Sequence, residues 1–188
     1  MLGYRAGRTT TTGSCNIVIG SAACIDAGDT NNSIAMGYDV VSINNAVTFG
    51  NASTDSRIAF GATSITAPSD ARLKEDIQDE KIGLDFITDL RPVTFRWKKA
   101  KDVPSEMEVH DADSDERVMN GKYNHGFIAQ EVKEVIDRHD LKDGFDMWTE
   151  DEADGRQRIG ESALMSIMVK AIQELSAKVI ELESKIEE

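Results

Sequence analysis

The chain has 188 residues and a net charge of −13, a length that allows one or two modest domains. The acidic balance excludes nucleic acid as a partner, because phosphate binding needs a basic surface. No apolar run of the roughly 18 residues that a membrane helix needs is present, so no membrane partner is predicted.

The charge is unevenly distributed along the chain. Residues 1–68 contain three Arg, four Asp and no Lys, Glu or Trp, whereas residues 69–188 carry 18 basic and 30 acidic residues. This change in composition predicts a domain boundary between residues 68 and 69. Met1 leads straight into the first region, which suggests that the chain is part of a longer protein.

Residues 13–61 repeat a short phrase of alternating apolar residues that ends in glycine. The four copies are 16–20, 32–37, 45–50 and 56–61, and their glycines lie 17, 13 and 11 residues apart. Such periodic short strands indicate a β-helix or β-roll. Strands this short bury little alone, so we predict a trimeric β-stem in which three chains share one axis. The alternative is a disordered linker, against which the regular alternation argues.

The two cysteines, Cys15 and Cys24, both lie in this first region. They can be bridged only if their Cα atoms lie within about 7 Å of each other, and two cysteines are too few for a disulfide scaffold. We therefore predict reduced, partly buried thiols.

A possible self-cutting site lies at the change in composition. Ser69 follows Pro68, and Lys74 stands five residues later. Pro68 favours an extended conformation at Ala67, which makes the Pro68–Ser69 bond accessible. The Ser69 hydroxyl could attack that bond, and a neutral Lys74 amine could take the hydroxyl proton. A helix N-cap followed by a solvated lysine is the alternative, and the spacing alone does not decide between them.

The next segment, Asp70–Leu90, is predicted to be helical at least in part, with Ser69 or Asp70 as its cap. Its apolar residues Ile77, Leu84, Ile87 and Leu90 share one face, although Gly83 weakens the middle. The N-terminus of such a helix would favour an oxyanion beside Ser69 and disfavour the charged form of Lys74.

Further along, residues 92–98 alternate as a strand, and residues 99–121 form a polar, acidic surface hairpin or arm. Within that arm 111–115 faintly resembles a calcium loop, but Glu116 stands where glycine is needed and Lys122 where glutamate is needed. We therefore predict no metal, and no motif predicts a cofactor.

His125 lies where a predicted strand leads into a helix over residues 131–139, whose apolar face comprises Val132, Val135 and Ile136. A lone histidine in such a place is either structural or catalytic, and spacing does not separate the two.

The C-terminal residues 160–188 predict a long coiled-coil helix. Apolar residues alternate three and four apart, which defines a heptad seam made of Met165, Met168, Ile172, Leu175, Val179, Leu182 and Ile186. We expect the seam to join three copies of the chain. The alternative is a helix whose apolar stripe packs on its own domain.

Four blocks in order, 69–77, 84–97, 125–132 and 171–175, give residues 69–188 a resemblance to a known family. They resemble the self-cleaving intramolecular chaperone domain at the C-terminus of bacteriophage tailspikes and tail fibres, the endosialidase-type family. The resemblance implies a catalytic dyad of Ser69 and Lys74, a cut at Pro68–Ser69, and a less settled role for His125. It also implies that the polar arm grips the stem of the trimer.

The predicted fold class is therefore α+β: a trimeric β-stem over 1–68 that ends a fibre, then a mixed α/β chaperone domain over 69–188. The predicted function is a single-turnover serine auto-endopeptidase that drives folding of its own fibre stem and then leaves it. Its partners would be two further copies of itself and the upstream stem, and it would act in the virion tail fibre after assembly in the host cytoplasm. The alternative is a permanent trimerisation cap or receptor-binding tip that never cuts.

Overall fold

The computed structural model describes residues 1–141 and 145–186, a mixture of short strands and helices that ends in one long helix. The chain divides into two compact units, Met1–Ile77 and Gln78–Glu188. Among the described residues, no helix combines the length and the apolar character needed to cross a membrane. The mixed α+β class and the long terminal helix agree with the prediction.

The first unit contains six short strands arranged in two sheets. The four-stranded sheet has the order β1-β3-β5-β6 and the smaller sheet pairs β2 with β4, where the strands are β1 Ile17–Ile19, β2 Cys24–Ile25, β3 Ile34–Tyr38, β4 Val41–Ser42, β5 Ala46–Asn51 and β6 Thr54–Ala59. From β1 to β5 the chain alternates between the sheets, and the pairs β1/β3, β3/β5 and β2/β4 are all parallel. The first three predicted repeats therefore stack in register.

The fourth repeat, residues 56–61, does not continue this stack. It forms most of β6, which pairs antiparallel with β5 from Ala46↔Ala59 to Asn51↔Thr54. Only Ala52 and Ser53 join the two strands, and a connection that short closes an antiparallel hairpin, whereas a parallel pair needs a longer crossover, such as residues 39–45 between β3 and β5. The prediction of a fourth equivalent repeat is therefore wrong.

Side chains of the four-stranded sheet alternate between a buried and an exposed face. Its buried face contributes to a small core of Val18, Ala23, Ile25, Ala35 and Val40. Its outer face is apolar and carries Ile17, Ile19, Met36, Tyr38 and Phe49, which are between 39% and 61% exposed. The unit thus leaves its larger apolar side chains on the surface and buries the smaller ones, as strands of alternating character do.

Stacked glycines set the spacing of the parallel turns. Gly20, Gly37 and Gly50 have φ angles of 121°, 134° and 131°, which favour glycine strongly. A Cβ on Gly20 would lie 1.9 Å from the carbonyl oxygen of Gly37, and a Cβ on Gly37 would lie 1.9 Å from that of Gly50. Any side chain here would force the turns apart.

We expect Gly37→Ala to lower the free energy of unfolding by at least about 2 kcal/mol. The alanine Cβ would collide with the Gly50 carbonyl oxygen, and alanine would be strained at the positive φ of this position. Gly61→Ala is the matched control. Gly61 also has a positive φ, 86°, but an added Cβ would meet nothing within 4 Å, so we expect a loss of about 1 kcal/mol. Urea unfolding of both variants measures the difference, and equal losses would show that the close approach of the turns carries no cost.

Both cysteines are free thiols. Cys24 is buried, whereas Cys15 is exposed and so is not partly buried as predicted. Cys15 has a left-handed backbone with φ of 59°, as Asn32 and Asn45 do at the equivalent places of the next two turns, with φ of 52° and 55°. Asparagine tolerates this conformation better than other side chains do, so Cys15 occupies an asparagine position.

The second unit packs three helices beside two small antiparallel sheets. Strand β7 pairs with β8 and β9 with β10, and the elements are α1 Leu84–Asp89, β7 Val93–Phe95, β8 Asn124–Gly126, α2 Ala129–Arg138, β9 Trp148–Glu150, β10 Gln157–Ile159 and α3 Leu164–Ile186. The core joins α1, α2 and the start of α3 through Phe86, Leu90, Val132, Val135, Ile136, Met147, Leu164 and Ile167. The predicted apolar face of α2 is thus buried.

A single helix over Asp70–Leu90 is not present, so that prediction is wrong in its extent. One 3-10 turn forms at Ala71–Leu73, and α1 begins only at Leu84. Helices in proteins are stabilised mainly by packing an amphipathic face, and residues 74–81 are exposed throughout.

The N-terminus of α1 is capped from a distant part of the sequence. The Glu174 carboxylate of α3 accepts a hydrogen bond from the Leu84 N–H at 2.8 Å. A Cβ on Gly83 would lie 2.6 Å from that carboxylate. Gly83 has no side chain that could cap the helix, but its lack of a Cβ leaves room for the Glu174 carboxylate that does.

Helix α3 presents two different faces. Leu164, Ile167 and Ala171 are buried in the core of the unit. The heptad seam lies on another face, and its members are 46% to 83% exposed in the single chain. The helix therefore does pack on its own domain, but through residues outside the seam. Residues 187 and 188 of the predicted coil lie outside the described residues.

Candidate active site around Ser69

Residues 61–81 form an exposed segment that runs from the end of the first unit into the start of the second. The segment is fixed to β6 by two backbone hydrogen bonds between Thr66 and Arg57, at 2.7 and 2.8 Å. Beyond Thr66 come Ala67, Pro68 and Ser69, with no regular secondary structure. The Pro68–Ser69 bond thus lies in an accessible stretch just past a fixed point.

A single turn of chain returns Lys74 to Ser69. The backbone N–H groups of Leu73 and Lys74 donate to the carbonyls of Asp70 and Ala71, at 3.0 and 3.2 Å. Lys74 Nζ then donates a hydrogen bond to Ser69 Oγ at 2.8 Å. The structure therefore brings together the two residues of the predicted dyad, both of which are exposed in the single chain.

The helix N-terminus that was expected to assist this pair is absent. The turn at Ala71–Leu73 has three residues. A field of useful strength requires the aligned peptide dipoles of a longer helix. Any catalytic environment for Ser69 and Lys74 must come from elsewhere.

Asp70 and Arg72 form an ion pair beside the serine. Arg72 Nε and Nη2 donate to the Asp70 carboxylate at 3.0 and 2.6 Å, and the Arg72 backbone N–H donates to Asp70 Oδ1 at 2.9 Å. These bonds hold the pKa of the Asp70 carboxyl below its usual range and raise the pKa of Arg72. Sequence reasoning found Asp70 as a cap but missed this pairing, whose signal was an acidic cap residue two positions before an arginine.

His125, the third predicted site residue, belongs to the second unit. It lies on β8 opposite Thr94 of β7, and its Nδ1 is 3.2 Å from Thr94 Oγ1. It lines a groove of about 780 Å³ whose walls include Phe95, Trp97, Met107 and Arg156. The groove is largely apolar, with His125 and Arg156 among its polar groups.

In the acidic arm over residues 99–121, the Asp115 carboxylate pairs with two lysines. Lys101 and Lys99 both contact Asp115, at 2.7 and 2.6 Å. Their hydrogen bonds, that of Lys101 first, lower the pKa of Asp115 to about 2. Within the described residues, no group of three or more His, Cys, Asp or Glu side chains could hold a metal ion.

Part of the chain matches a known protein family. Residues 69–141 match the Peptidase_S74 family model, described as chaperone of endosialidase. The match begins at Ser69, the residue that follows the predicted cut, and includes Lys74 and His125. No curated protein matches the chain.

Proposed function

We propose, from the premise that residues 69–141 belong to the chaperone of endosialidase family, that this chain is the self-cleaving end of a bacteriophage tail fibre or tailspike. The family supports an intramolecular chaperone role for this part of the chain. In the proposal, three copies assemble, align their upstream stems, and then each is cut between Pro68 and Ser69. The observation that carries the cut is the 2.8 Å hydrogen bond between Lys74 Nζ and Ser69 Oγ where the family match begins.

The proposed chemistry needs Ser69, Lys74 and one water molecule. A neutral Lys74 amine takes the Ser69 hydroxyl proton while Oγ attacks the Pro68 carbonyl carbon. The Pro68–Ser69 C–N bond breaks, the Ser69 nitrogen receives the proton, and an ester links Pro68 to Oγ. Water hydrolyses this ester, which leaves a Pro68 carboxylate and a Ser69 with a free amine and hydroxyl. A role for His125 rests on the resemblance alone, and no step requires it.

The exposure of both residues argues that the single chain is a resting state. A lysine becomes a general base where burial or a neighbouring cation disfavours its charged form. Residues 61–81 are exposed in the single chain, and the observed hydrogen bond has the lysine as donor. We propose that assembly supplies the missing burial, so that cutting follows correct association.

Two apolar surfaces support a homotrimer. The seam of α3 has the heptad spacing of a coiled coil and is exposed along its length. The outer face of the four-stranded sheet is also apolar and exposed, and apolar patches of this kind mark protein interfaces. In the proposal both surfaces meet their own copies around one axis, the fibre stem stays in the virion, and residues 69–188 are released.

The same exposure also favours a second candidate, a trimeric cap that never cuts. Here Ser69 would be a polar residue before a turn, and Lys74 a solvated cation that contacts it. The two candidates share assembly and differ only in the integrity of the chain.

Intact mass spectrometry of freshly folded protein separates the candidates. We expect one fragment that ends at Pro68 and another that begins at Ser69, whereas Ser69→Ala should remain full length because it has no nucleophile. Ser64→Ala is the matched control, since Ser64 is an exposed hydroxyl in the same segment, and it should be cut as the wild type is. N-terminal sequencing that finds only Met1 under all folding conditions would rule out the cut, and a trimeric native mass of that uncut chain would then support the cap.

A further inference from the structure

We propose that Arg72 is a positioning residue for the cut: it occupies the Asp70 carboxylate and so leaves Lys74 to Ser69. The inference rests on the proposed function and adds to it a residue that does not touch the reacting atoms. Residues 69–74 contain the opposite charges of Asp70 and Arg72 as well as Ser69 and Lys74. Within this turn, the Lys74 side chain bonds to the neutral Ser69 hydroxyl and not to the Asp70 carboxylate.

The contacts show how the carboxylate is occupied. Arg72 donates from Nε to Oδ1 and Oδ2 of Asp70 at 3.0 and 3.1 Å, and from Nη2 to Oδ2 at 2.6 Å. With the Arg72 backbone N–H on Oδ1, both oxygens are engaged on the side of Arg72. A planar guanidinium is suited to this bidentate contact with a carboxylate, which an ammonium group cannot make.

The alternative partner for Asp70 is Lys74. The charged groups adjacent to Lys74 in the segment are Asp70, Arg72, Glu75 and Asp76, and none of the ion pairs found among the described residues involves Lys74. Without Arg72, the Asp70 carboxylate could turn to the ammonium one turn away. A carboxylate close to the Lys74 amine favours its protonated form, and the protonated form cannot act as a base.

The pairing also explains why an acidic residue next to the nucleophile is tolerated. Asp70 caps the turn through its Oδ1, which accepts from the Arg72 N–H. An asparagine could make the same cap without a charge. Arg72 thus lets the turn keep its acidic cap while the charge of that cap is directed away from Lys74.

The test is a double-mutant cycle in the full-length, assembling protein, with cleavage followed over time between about pH 6 and 10. We expect Arg72→Ala to cut about tenfold more slowly near neutral pH and its rate profile to move upward by about one pH unit. Asp70→Asn should cut at nearly the wild-type rate. Asp70→Asn combined with Arg72→Ala should recover both the rate and the profile, because no free carboxylate remains.

A purely structural clamp gives the opposite pattern. Asp70→Asn alone would then be as slow as Arg72→Ala, and the double variant would stay slow with an unshifted profile, which would overturn the inference. Native mass of each variant checks assembly, and Arg72→Lys, which keeps a cation but loses the fork, should be intermediate. If the wild type cuts and Arg72→Ala matches its rate and profile, the inference alone is wrong. If the wild type is never cut, the proposed function is wrong as well.

Discussion

Lys74→Ala should give a folded, assembled protein that stays full length. The substitution removes the only proposed base, and loss of a general base typically costs about 100-fold or more in rate. It should leave folding intact because Lys74 is exposed, its side-chain amine bonds only to Ser69 among the described residues, and its backbone hydrogen bond to Ala71 is unaffected. The measurement is the cleaved fraction by intact mass beside the oligomeric state by native mass.

Two further lysine variants sharpen this result. Lys74→Arg keeps the positive charge on a group that does not lose its proton, so it should also remain uncut. Lys81→Ala removes another exposed lysine of the same segment and should be cut normally. Cleavage of Lys74→Ala at the wild-type rate would remove Lys74 from the mechanism.

Leu175→Asp combined with Leu182→Asp should give a chain that is uncut and also monomeric or aggregated, although Ser69 and Lys74 are unchanged. Both leucines belong to the heptad seam and are 51% and 59% exposed in the single chain. Burying two unpaired carboxylates between helices is costly enough to prevent assembly. The core contacts of α3, made by Leu164, Ile167 and Ala171, are left untouched.

A control with the same charge and spacing lies elsewhere on the same helix. Ala177 and Ser184 are both exposed, also seven residues apart, and lie outside the seam. Ala177→Asp combined with Ser184→Asp should therefore assemble and be cut. If the seam variant stays monomeric and yet is cut as fast as the wild type, cutting does not depend on assembly.

Elements with a regular period could be predicted from the sequence. The repeated apolar phrases predicted the stacked parallel strands through Gly50, and spacing alone predicted the buried face of α2 and the existence of the long helix α3, but not the face by which α3 packs on its own unit. The failures lie where distant contacts or short connections decide. The antiparallel turn into β6 depends on a two-residue link, and the start of α1 depends on Glu174, 90 residues from Leu84.

The contact between Ser69 and Lys74 could be predicted from the sequence, but the other groups around these two residues could not. A spacing of five residues allowed contact between Ser69 and Lys74, and one turn of chain provides it. The ion pair between Arg72 and Asp70 was not predicted, because a local ion pair produces no periodic pattern in the sequence. The roles of Ser69, Lys74 and His125 stay predictions, and those of Ser69 and Lys74 are tested by the cleavage of their variants in the assembling protein.

The stacked glycines make the first unit intolerant of a shift in register between neighbouring parallel turns. A shift of one residue would bring a residue with a Cβ to the place where Gly37 approaches the Gly50 carbonyl, where an added Cβ has only 1.9 Å. We therefore expect a misaligned turn to pack poorly and not to form a stable competing structure. Errors in stacking should then reverse, so that the chain reaches the correct alignment without a long-lived misfolded state.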